Sequence, residues 1–223
     1  MKIAAIIPCH NEADTLGSVV LLAKQYVDKV IVVDNCSTDD TRKVAEMAGA
    51  CVVYCEEKGM GIATKKGIMI TKAEVIVTLD GDGQHKADEI TRLVEPVLKG
   101  EADLVIGSRF INCHDQVPRY RKVGIDIITW LYNTGHKKKI TDGQCCFRAY
   151  RSSLLQAIDI EEKGFNFSVE VLVKARKLGL RIVEVPVSCI YHKEFKVNSS
   201  MNPIQQGLSV SMAVIKWRLR LRN

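Results

Sequence analysis

Short apolar runs rich in β-branched residues alternate with amphipathic stretches through the first half of the chain. The runs predict strands, and the stretches whose apolar residues recur every three or four positions predict helices. The predicted strands are residues 2–7, 30–33, 51–54, 75–79 and 104–106, and the predicted helices are 15–27, 41–48, 61–72 and 87–98. Ser37 is expected to cap the helix at 41–48, which Gly49 ends. The alternation predicts an α/β domain of βαβ units around a parallel sheet.

Polar residues follow each of these strands. In an open parallel sheet, ligands bind beyond the carboxyl ends of the strands, so these positions are candidates for one shared site. In chain order they are His10, Asn11 and Glu12; Asp34 and Asn35; residues 56–59; Asp80, Asp82 and Gln84; and Ser108 and Arg109.

The segment that follows the fourth strand is the most informative of these. Asp80, Asp82 and Gln84 supply two carboxylates and an amide, which are the hard oxygen ligands that Mg²⁺ and Mn²⁺ prefer. An EF-hand is excluded, because a loop counted from Asp80 has His85 and Thr91 where glycine and glutamate are needed. The sequence therefore predicts a Mg²⁺ or Mn²⁺ site at this strand end.

Two common phosphate-binding motifs do not fit the chain. No Gly-x-x-x-x-Gly-Lys-Ser/Thr string is present, which excludes the usual nucleoside triphosphatase loop. The segment 59–64 partly imitates a dinucleotide fingerprint, but Thr64 stands where the third glycine belongs and the segment follows the third strand. The second observation argues against nicotinamide binding.

Length and composition are those of one sizeable domain. The chain has 223 residues, of which 47% are hydrophobic and 26% are charged. Its eight cysteines contain no Cys-x-x-Cys pair, so neither a zinc ribbon nor a thioredoxin-type site is supported. The first apolar run is too short for a secretory signal, and no run reaches the roughly 18 apolar residues of a membrane span. These features predict a cytoplasmic protein.

The net charge of +6 is concentrated in two segments. Residues 119–139 contain six Lys or Arg residues against Asp126 alone, and residues 216–222 contain four more. Such patches bind polyanions, namely nucleic acid, anionic lipid headgroups or phosphorylated substrates, or form a solvated basic face.

The apolar segment 123–132 lies between the basic residues of the first patch. As a helix it would be about 15 Å long, which is half the hydrocarbon thickness of a bilayer. It is expected either to lie in the headgroup plane, with Trp130 and Tyr132 at the interface, or to be an ordinary core helix. Residues 212–222, with Trp217 among four cations, repeat the pattern.

The order of the motifs resembles that of the inverting GT-A glycosyltransferases, and among these the polyprenyl-phosphate hexose synthases such as dolichyl-phosphate mannose or glucose synthase. The motifs are residues 7–12, 32–41, 59–61, 80–85, 107–109, 141–150, 164–170 and 183–187. The resemblance implies a GT-A fold with a mostly parallel, Rossmann-like sheet flanked by helices. It implies a catalytic domain over 1–200, with a nucleotide-sugar half at 1–110 and an acceptor half at 111–200, followed by a basic amphipathic helix or tail at 201–223.

The resemblance also implies roles for individual residues in transferring a hexose from GDP- or UDP-hexose with Mg²⁺ or Mn²⁺. The donor would be bound by Pro8, Asn11, Glu12, Asp34, Asn35, Lys58, Gly59, Gly61 and Asp80. The metal would be held by Asp80, Asp82 and Gln84. The catalytic residues would be Asp82, Asp142, Glu170 and Arg109. The acceptor phosphate would be bound by Gln144, Lys193 and Lys196. Arg119 and Arg121 are expected to join them, because they stand at the start of the apolar segment 123–132, where a headgroup phosphate would meet an interfacial helix.

Two segments depart from the pattern of the family. Cys145 and Cys146 replace the Ser-Gly that usually follows Gln144, and Lys193 and Lys196 stand where an Arg and a Gly-x-Ser-Lys pattern usually hold phosphate.

Three functions remain open from the sequence. The first is transfer to a lipid phosphate, which has a second pKa of about 6, is already anionic and needs no base. The second is transfer by a soluble glycosyltransferase to a hydroxyl of a saccharide or small molecule, which needs Asp142 or Glu170 as base. A nucleotide-binding subunit without activity is the third, and the intact Asp80, Asp82 and Gln84 argue against it. The leading prediction is an enzyme that modifies polyprenyl phosphate on the cytosolic face of an anionic membrane, without a nucleic-acid partner.

Overall fold

The computed structural model describes residues 2–111, 117–190 and 203–220. Within these ranges seven strands form one sheet: β1 Ile3–Cys9, β2 Lys29–Asn35, β3 Cys51–Cys55, β4 Val75–Thr78, β5 Leu104–Ser108, β6 Arg148–Arg151 and β7 Ile182–Pro186. The α-helices are α1 Ala13–Ala23, α2 Thr41–Met47, α3 Met60–Ile70, α4 Ile90–Leu98, α5 Arg119–Asn133, α6 Ser152–Ala157, α7 Phe167–Lys177 and α8 Pro203–Arg220. A single 3₁₀ turn, Ala87–Glu89, precedes α4.

The sheet has the strand order β3-β2-β1-β4-β6-β5-β7. Six strands run parallel, and β6 runs antiparallel between β4 and β5. Strands β1, β2 and β4 are buried along almost their whole length, which explains why they read as continuous apolar runs without polar alternation. The predicted α/β class with a mostly parallel sheet is confirmed.

The helices show where local sequence signals succeed and fail. The sequence predicts an apolar face on the first helix that comprises Leu16, Val19, Val20, Ala23 and Val27; the first four are buried on α1, whereas Val27 lies beyond its end and is partly buried. The predicted cap of α2 is wrong, because the Ser37 hydroxyl instead accepts the backbone N–H of Asn11. At the start of α2 it is Asp39 that accepts the N–H of Thr41, 3.0 Å away.

Helices α5 and α8 pack against each other, and a guanidinium joins them. Arg218 on α8 donates to the carbonyl oxygens of Leu131 and Thr134 at 2.6 and 2.5 Å, which satisfies groups that the end of α5 leaves without partners. The expected interfacial position of Tyr132 is wrong, since its side chain is 1% exposed, and Trp217 is buried to the same extent. Trp130 is 65% exposed, as the prediction requires.

Each of these two helices exposes one row of large apolar side chains. The spacing of three or four residues places each row on one side of its helix. We call them together the apolar face, and its residues are Tyr120, Val123, Ile127 and Trp130 on α5 and Leu208, Met212, Ile215 and Leu219 on α8. None of the helices in the described ranges has both the length and the apolar content needed to cross a bilayer.

Candidate active site

The carboxyl ends of β1, β2, β3 and β4 lie side by side at one edge of the sheet, so the structure brings their polar loops together. The hydroxyl of Thr15 on α1 donates to the carbonyl of Gly81 at 2.7 Å, tying the first of these loops to the fourth. The fifth strand end, which carries Arg109, is separated from β4 by β6. Pro8 is buried within β1 opposite Val33, so it supports this edge from inside the sheet.

Asn11 and Asp34 shape the loop that follows β2. The carboxylate of Asp34 accepts the N–H of Ser37 at 3.0 Å, and the amide oxygen of Asn11 accepts the N–H of Thr38 at 2.8 Å. Asn11 and Cys36 both adopt left-handed backbone conformations, with φ of +57° and +62°, which asparagine tolerates better than most residues. The two side chains thus hold a sharp turn beside the predicted nucleoside site.

Asn35 holds the loop that follows β3. Its amide nitrogen donates to the carbonyl of Glu57 at 2.8 Å, and its amide oxygen accepts the N–H of Gly59 at 2.7 Å. Its own carbonyl lies 2.9 Å from Nδ1 of His10, whose Nε2 lies 2.9 Å from the Lys58 ammonium. Because an ammonium can only donate, Nε2 accepts and the ring carries its proton on Nδ1. His10, one of the strand-end residues that the sequence placed in the shared site, thus helps to hold this loop, a specific role that the sequence did not predict.

Gly59 and Gly61 are required by a close backbone contact. A Cβ atom on Gly59 would collide with the carbonyl of Lys163, and one on Gly61 would collide with the carbonyl of Glu162. The amides of Gly61 and Ile62 both donate to the Lys163 carbonyl, at 2.8 and 3.2 Å. These two amides at the start of α3 are therefore occupied by protein rather than directed at a donor phosphate.

Three carboxylates crowd together where β1 and β4 end. The Oε2 atom of Glu12 and the Oδ1 atom of Asp80 are buried and have no hydrogen-bond partner within the protein. Burial raises the pKa of Glu12 to about 9, and the charges of Asp80 and Asp82 add to the rise. Gly81 allows this approach, because a Cβ atom there would collide with Oε2 of Glu12. A divalent cation would relieve both the missing partners and the repulsion.

Gln84 is fixed by its backbone beside these carboxylates. Its N–H donates to Asp82 at 2.9 Å, and its carbonyl accepts the N–H of Ile190 at 2.8 Å. In the described part of the chain, no three Asp, Glu, His or Cys side chains form a complete ligand set. Mg²⁺ is commonly held by one or two carboxylates together with substrate phosphates, so Asp80, Asp82 and Gln84 fit a cation shared with a bound diphosphate.

His85 packs directly behind this cluster. Its side chain is buried, its Nε2 atom lies 3.5 Å from a carboxylate oxygen of Asp80, and its ring centre lies 5.0 Å from that of Phe147. The ring therefore restricts the orientation of Asp80. The sequence did not single out His85 for this role, although its place directly after Gln84 was a signal.

The raised pKa of Glu12 predicts a pH-dependent stability in the absence of metal. The folded protein binds this proton more tightly than the unfolded chain, whose carboxyl has an ordinary value of 4.5. The stabilisation is thus complete below that pH and is lost as the pH rises towards 9, with a limiting slope of about 1.4 kcal/mol per pH unit. Urea unfolding with a chelator, repeated across this range, measures the slope. Glu12→Gln should flatten it, and Glu101→Gln, at an exposed glutamate, should not; equal slopes in the native protein and Glu12→Gln would contradict the assignment.

Arg109 and Asp142 form a buried ion pair. Nε and one terminal nitrogen of Arg109 donate to the two oxygens of Asp142 at 2.7 and 2.9 Å. The Asp142 side chain is 0% exposed and also accepts the N–H groups of Gln144 and Cys145. Burial alone would raise the pKa of Asp142, but the Arg109 charge and these hydrogen bonds hold it below its usual value. These contacts oppose the expected role of Asp142 as a base, and they direct Arg109 to Asp142 rather than to a substrate phosphate.

Glu170 is also occupied by the protein. Its side chain is fully buried, and its two oxygens accept the N–H groups of Glu161 and Glu162 at 2.9 and 2.8 Å. The ammonium of Lys174 lies 2.6 Å away. The expected role of Glu170 as a base is therefore opposed by its contacts, which hold the chain before α7.

The residues expected to bind an acceptor phosphate are only partly described. Arg119 is exposed and Arg121 is half-buried, and both lie in the first turn of α5. Gln144 is half-buried, with its N–H bound to Asp142. Lys193 and Lys196 lie outside the described residues.

The chain is similar to a known protein family and to several of its members. The sequence model of glycosyl transferase family 2 matches residues 4–159. An undecaprenyl-phosphate mannosyltransferase from Micrococcus luteus is 34% identical over 242 residues, covering 100% of this chain and 96% of that protein. A UDP-N-acetylglucosamine–dolichyl-phosphate N-acetylglucosaminyltransferase from Methanococcus voltae is 30% identical over 215 residues, covering 83% of this chain and 84% of that protein.

A solved structure shares the fold at lower sequence identity. It is glucosyl-3-phosphoglycerate synthase from Mycobacterium tuberculosis in complex with Mn²⁺, UDP and phosphoglyceric acid. The TM-score is 0.78 at 21% identity, and the match covers 99% of this chain and 78% of that chain. The seven-stranded α/β architecture is therefore a GT-A fold.

Proposed function

Because this chain belongs to glycosyl transferase family 2, we propose that it is an inverting transferase that moves a hexose from GDP- or UDP-hexose to a polyprenyl phosphate such as dolichyl phosphate. The observation that supports a lipid phosphate as the acceptor is the burial and ion pairing of the two candidate bases. Asp142 and Glu170 are both fully buried and paired with cations, so neither is placed to take a proton from an alcohol. An acceptor that is already ionised needs no such base. The two relatives, whose names specify undecaprenyl and dolichyl phosphate, support the same class.

The reaction balances without a proton transfer. An anionic oxygen of the acceptor phosphate forms a bond to the anomeric carbon of the hexose from the face opposite the diphosphate. The bond from that carbon to the diphosphate oxygen breaks, and its electron pair leaves with the nucleoside diphosphate. Attack from the opposite face inverts the anomeric configuration.

Asp80, Asp82 and Gln84 would hold Mg²⁺ or Mn²⁺ beside the diphosphate. When bound, the cation supplies positive charge that stabilises the departing diphosphate. Two observations on the protein support such a cation. Buried oxygens of Glu12 and Asp80 have no hydrogen-bond partner, and the backbone of Gln84 is fixed beside them by a hydrogen bond to Asp82. His85 restricts Asp80 from behind, so the carboxylate is oriented before a donor binds.

The apolar face and its basic neighbours fit a peripheral position on an anionic membrane. The two exposed rows on α5 and α8 would lie at the level of the headgroups, where an amphipathic helix buries its apolar side. Arg119 in the first turn of α5 supplies an exposed cation for lipid phosphates. Of the other basic residues on these helices, Lys122, Lys216 and Arg220 are paired with Asp126, Glu162 and Glu161. We place this surface on the cytosolic side, where nucleotide-sugars are found.

Neutralising Arg119 and Arg121 together tests the acceptor. The double variant Arg119→Ala, Arg121→Ala is expected to raise the KM for a short-chain polyprenyl phosphate by about tenfold or more, because charge-assisted phosphate contacts are each worth about 1.5–3 kcal/mol. The KM for the nucleotide-sugar should stay nearly unchanged, and the variant should pellet less with anionic vesicles. Sugar transfer measured at varied lipid and donor concentrations gives both constants.

The matched control removes two exposed cations elsewhere. Arg42→Ala, Lys43→Ala changes the net charge equally but lies on α2, and it should leave the lipid KM unaltered. If the native enzyme glycosylates no lipid phosphate with any common nucleotide-sugar but modifies a free hydroxyl, the proposed acceptor is wrong.

A further inference from the structure

The carboxylate of Glu162 is one of the contacts that tie the C-terminal helix to the body of the protein. The indole Nε1 of the buried Trp217 donates to Oε1 of Glu162 at 3.0 Å, and the ammonium of Lys216 lies 2.7 Å from the same oxygen. The Glu162 side chain is only 14% exposed. Burial would raise the pKa of Glu162, but Lys216 and Trp217 hold it below its usual value, which keeps this anchor ionised.

The backbone at Glu162 supports the loop that follows β3. Its N–H is held by Glu170 at 2.8 Å, and its carbonyl lies against Gly61 so closely that no Cβ atom fits. The next carbonyl, that of Lys163, accepts the amides of Gly61 and Ile62 at the start of α3. The position of residues 162–163 therefore sets the position of this turn.

The same loop is held from its other side by the nucleotide half of the sheet. Asn35, directly after Asp34 at the end of β2, accepts the N–H of Gly59 and donates to the carbonyl of Glu57. The ammonium of Lys163 also forms an ion pair with Glu57 at 2.5 Å. Residues 57–61, which we call the donor loop, are thus clamped between Asn35 and residues 162–163.

We propose that Glu162 is a positioning residue for donor binding, which fixes the donor loop by tying it to Trp217 and Lys216 of the C-terminal helix. The inference rests on the proposed role of the donor loop, with Lys58, in holding the nucleotide-sugar. Glu162 acts through the backbone of residues 162–163 and does not touch the donor. Helix α8 carries half of the apolar face, so the helix that would meet the membrane also holds the donor loop in place.

Four variants separate a positioning role from general stability. Glu162→Ala removes the anchor, whereas Glu162→Gln keeps an oxygen that can accept the Trp217 N–H. Trp217→Phe removes the N–H together with part of the indole and keeps a smaller aromatic ring at this buried position. Glu161→Ala is the matched control, since this neighbouring glutamate binds Arg220 and Lys174 but makes no contact with the donor loop that the structure shows.

Two measurements are combined, and the first does not depend on catalysis. Hydrogen exchange should show faster exchange at the amides of Gly61 and Ile62 in Glu162→Ala and Trp217→Phe than in the native protein or Glu161→Ala. The second is the dissociation constant for UDP and for GDP in the presence of Mn²⁺. For whichever nucleotide the native protein binds more tightly, these two variants should bind about tenfold more weakly, the loss expected for one hydrogen bond to a charged acceptor. Glu162→Gln should restore most of the affinity.

Several results would overturn the inference. One is unchanged exchange at Gly61 and Ile62 in Trp217→Phe. Another is faster exchange without any loss of nucleotide affinity, which would remove the donor loop from the donor site. Equal effects of Glu161→Ala and Glu162→Ala would assign the change to a loss of charge. Because exchange and nucleotide binding need no acceptor, failure of the polyprenyl phosphate assignment would leave this test intact.

Discussion

Asp82→Asn is expected to lower kcat by about a thousandfold, the equivalent of the several kcal/mol that a direct metal ligand contributes to transition-state stabilisation. The fold should be retained, because an asparagine oxygen can still accept the N–H of Gln84 that Asp82 accepts now. The free energy of unfolding should stay level or rise, since the change removes one negative charge from beside Glu12. Initial rates of sugar transfer with saturating Mn²⁺, together with urea unfolding, measure both effects.

A control and a chelator make the result specific. Asp88→Asn removes a charge from an exposed position six residues further along the chain and should keep native turnover. A chelator should lower the transfer rate of the native enzyme to that of Asp82→Asn. Added Mn²⁺ should restore the rate of the native enzyme but not that of the variant. Near-native turnover of Asp82→Asn in Mn²⁺ would remove Asp82 from the metal site.

Arg109→Met is expected to lower the free energy of unfolding by about 3–5 kcal/mol, the usual cost of leaving a buried charge without its partner. Asp142 would keep its backbone hydrogen bonds but lose both contacts with the guanidinium. The double variant Arg109→Met, Asp142→Leu should recover part of the loss, because no unpaired charge then remains in the interior. Urea unfolding of the single and double variants measures the coupling between the two side chains.

The pH dependence of the same proteins supplies a second readout. The pKa of Asp142 is lowered in the folded state, so its contribution to stability is present above the unfolded value of about 3.9 and is lost as the pH falls through the lower folded value. Arg109→Met should reduce this contribution and unfold at a higher pH during acidification. Arg181→Met, which breaks the more exposed pair with Asp103, should have a much smaller effect. If Asp142→Asn abolished transfer at unchanged stability, the carboxylate would act as a base after all.

Several features of the fold and the site were predictable because they depend on local pattern and one general rule of topology. Strands β1, β2 and β4 are apolar along their length because both faces are covered, and the pattern alone identified them. Asp80 and Asp82 were identified because side chains that follow parallel strands meet at one edge of the sheet. The helix expected over 123–132 is present within α5, and Trp130 on it is exposed, as the interfacial alternative requires.

Other features depend on partners far away in the chain. Asp142 and Glu170 are of the residue types that serve as catalytic bases. Only the tertiary structure shows that both carboxylates are buried and paired, Asp142 with Arg109 and Glu170 with Lys174. The sequence also left open which side of α5 faces inward, because both Trp130 and Tyr132 are aromatic. Tyr132 turns inward, where its hydroxyl donates to the carbonyl of Leu172.

The sequence by itself determined the alternation of strands and helices and the cluster of oxygen-bearing side chains after β4, because each depends on residues within a few positions of one another. The tertiary structure decided the antiparallel insertion of β6 between β4 and β5, the pairing of Arg109 with Asp142, and the link from Trp217 to Glu162. These contacts join residues 33 and 55 positions apart in the last two cases. A pattern that repeats every two or four residues carries no information about such pairs, since burial and charge compensation select them only once the chain is packed.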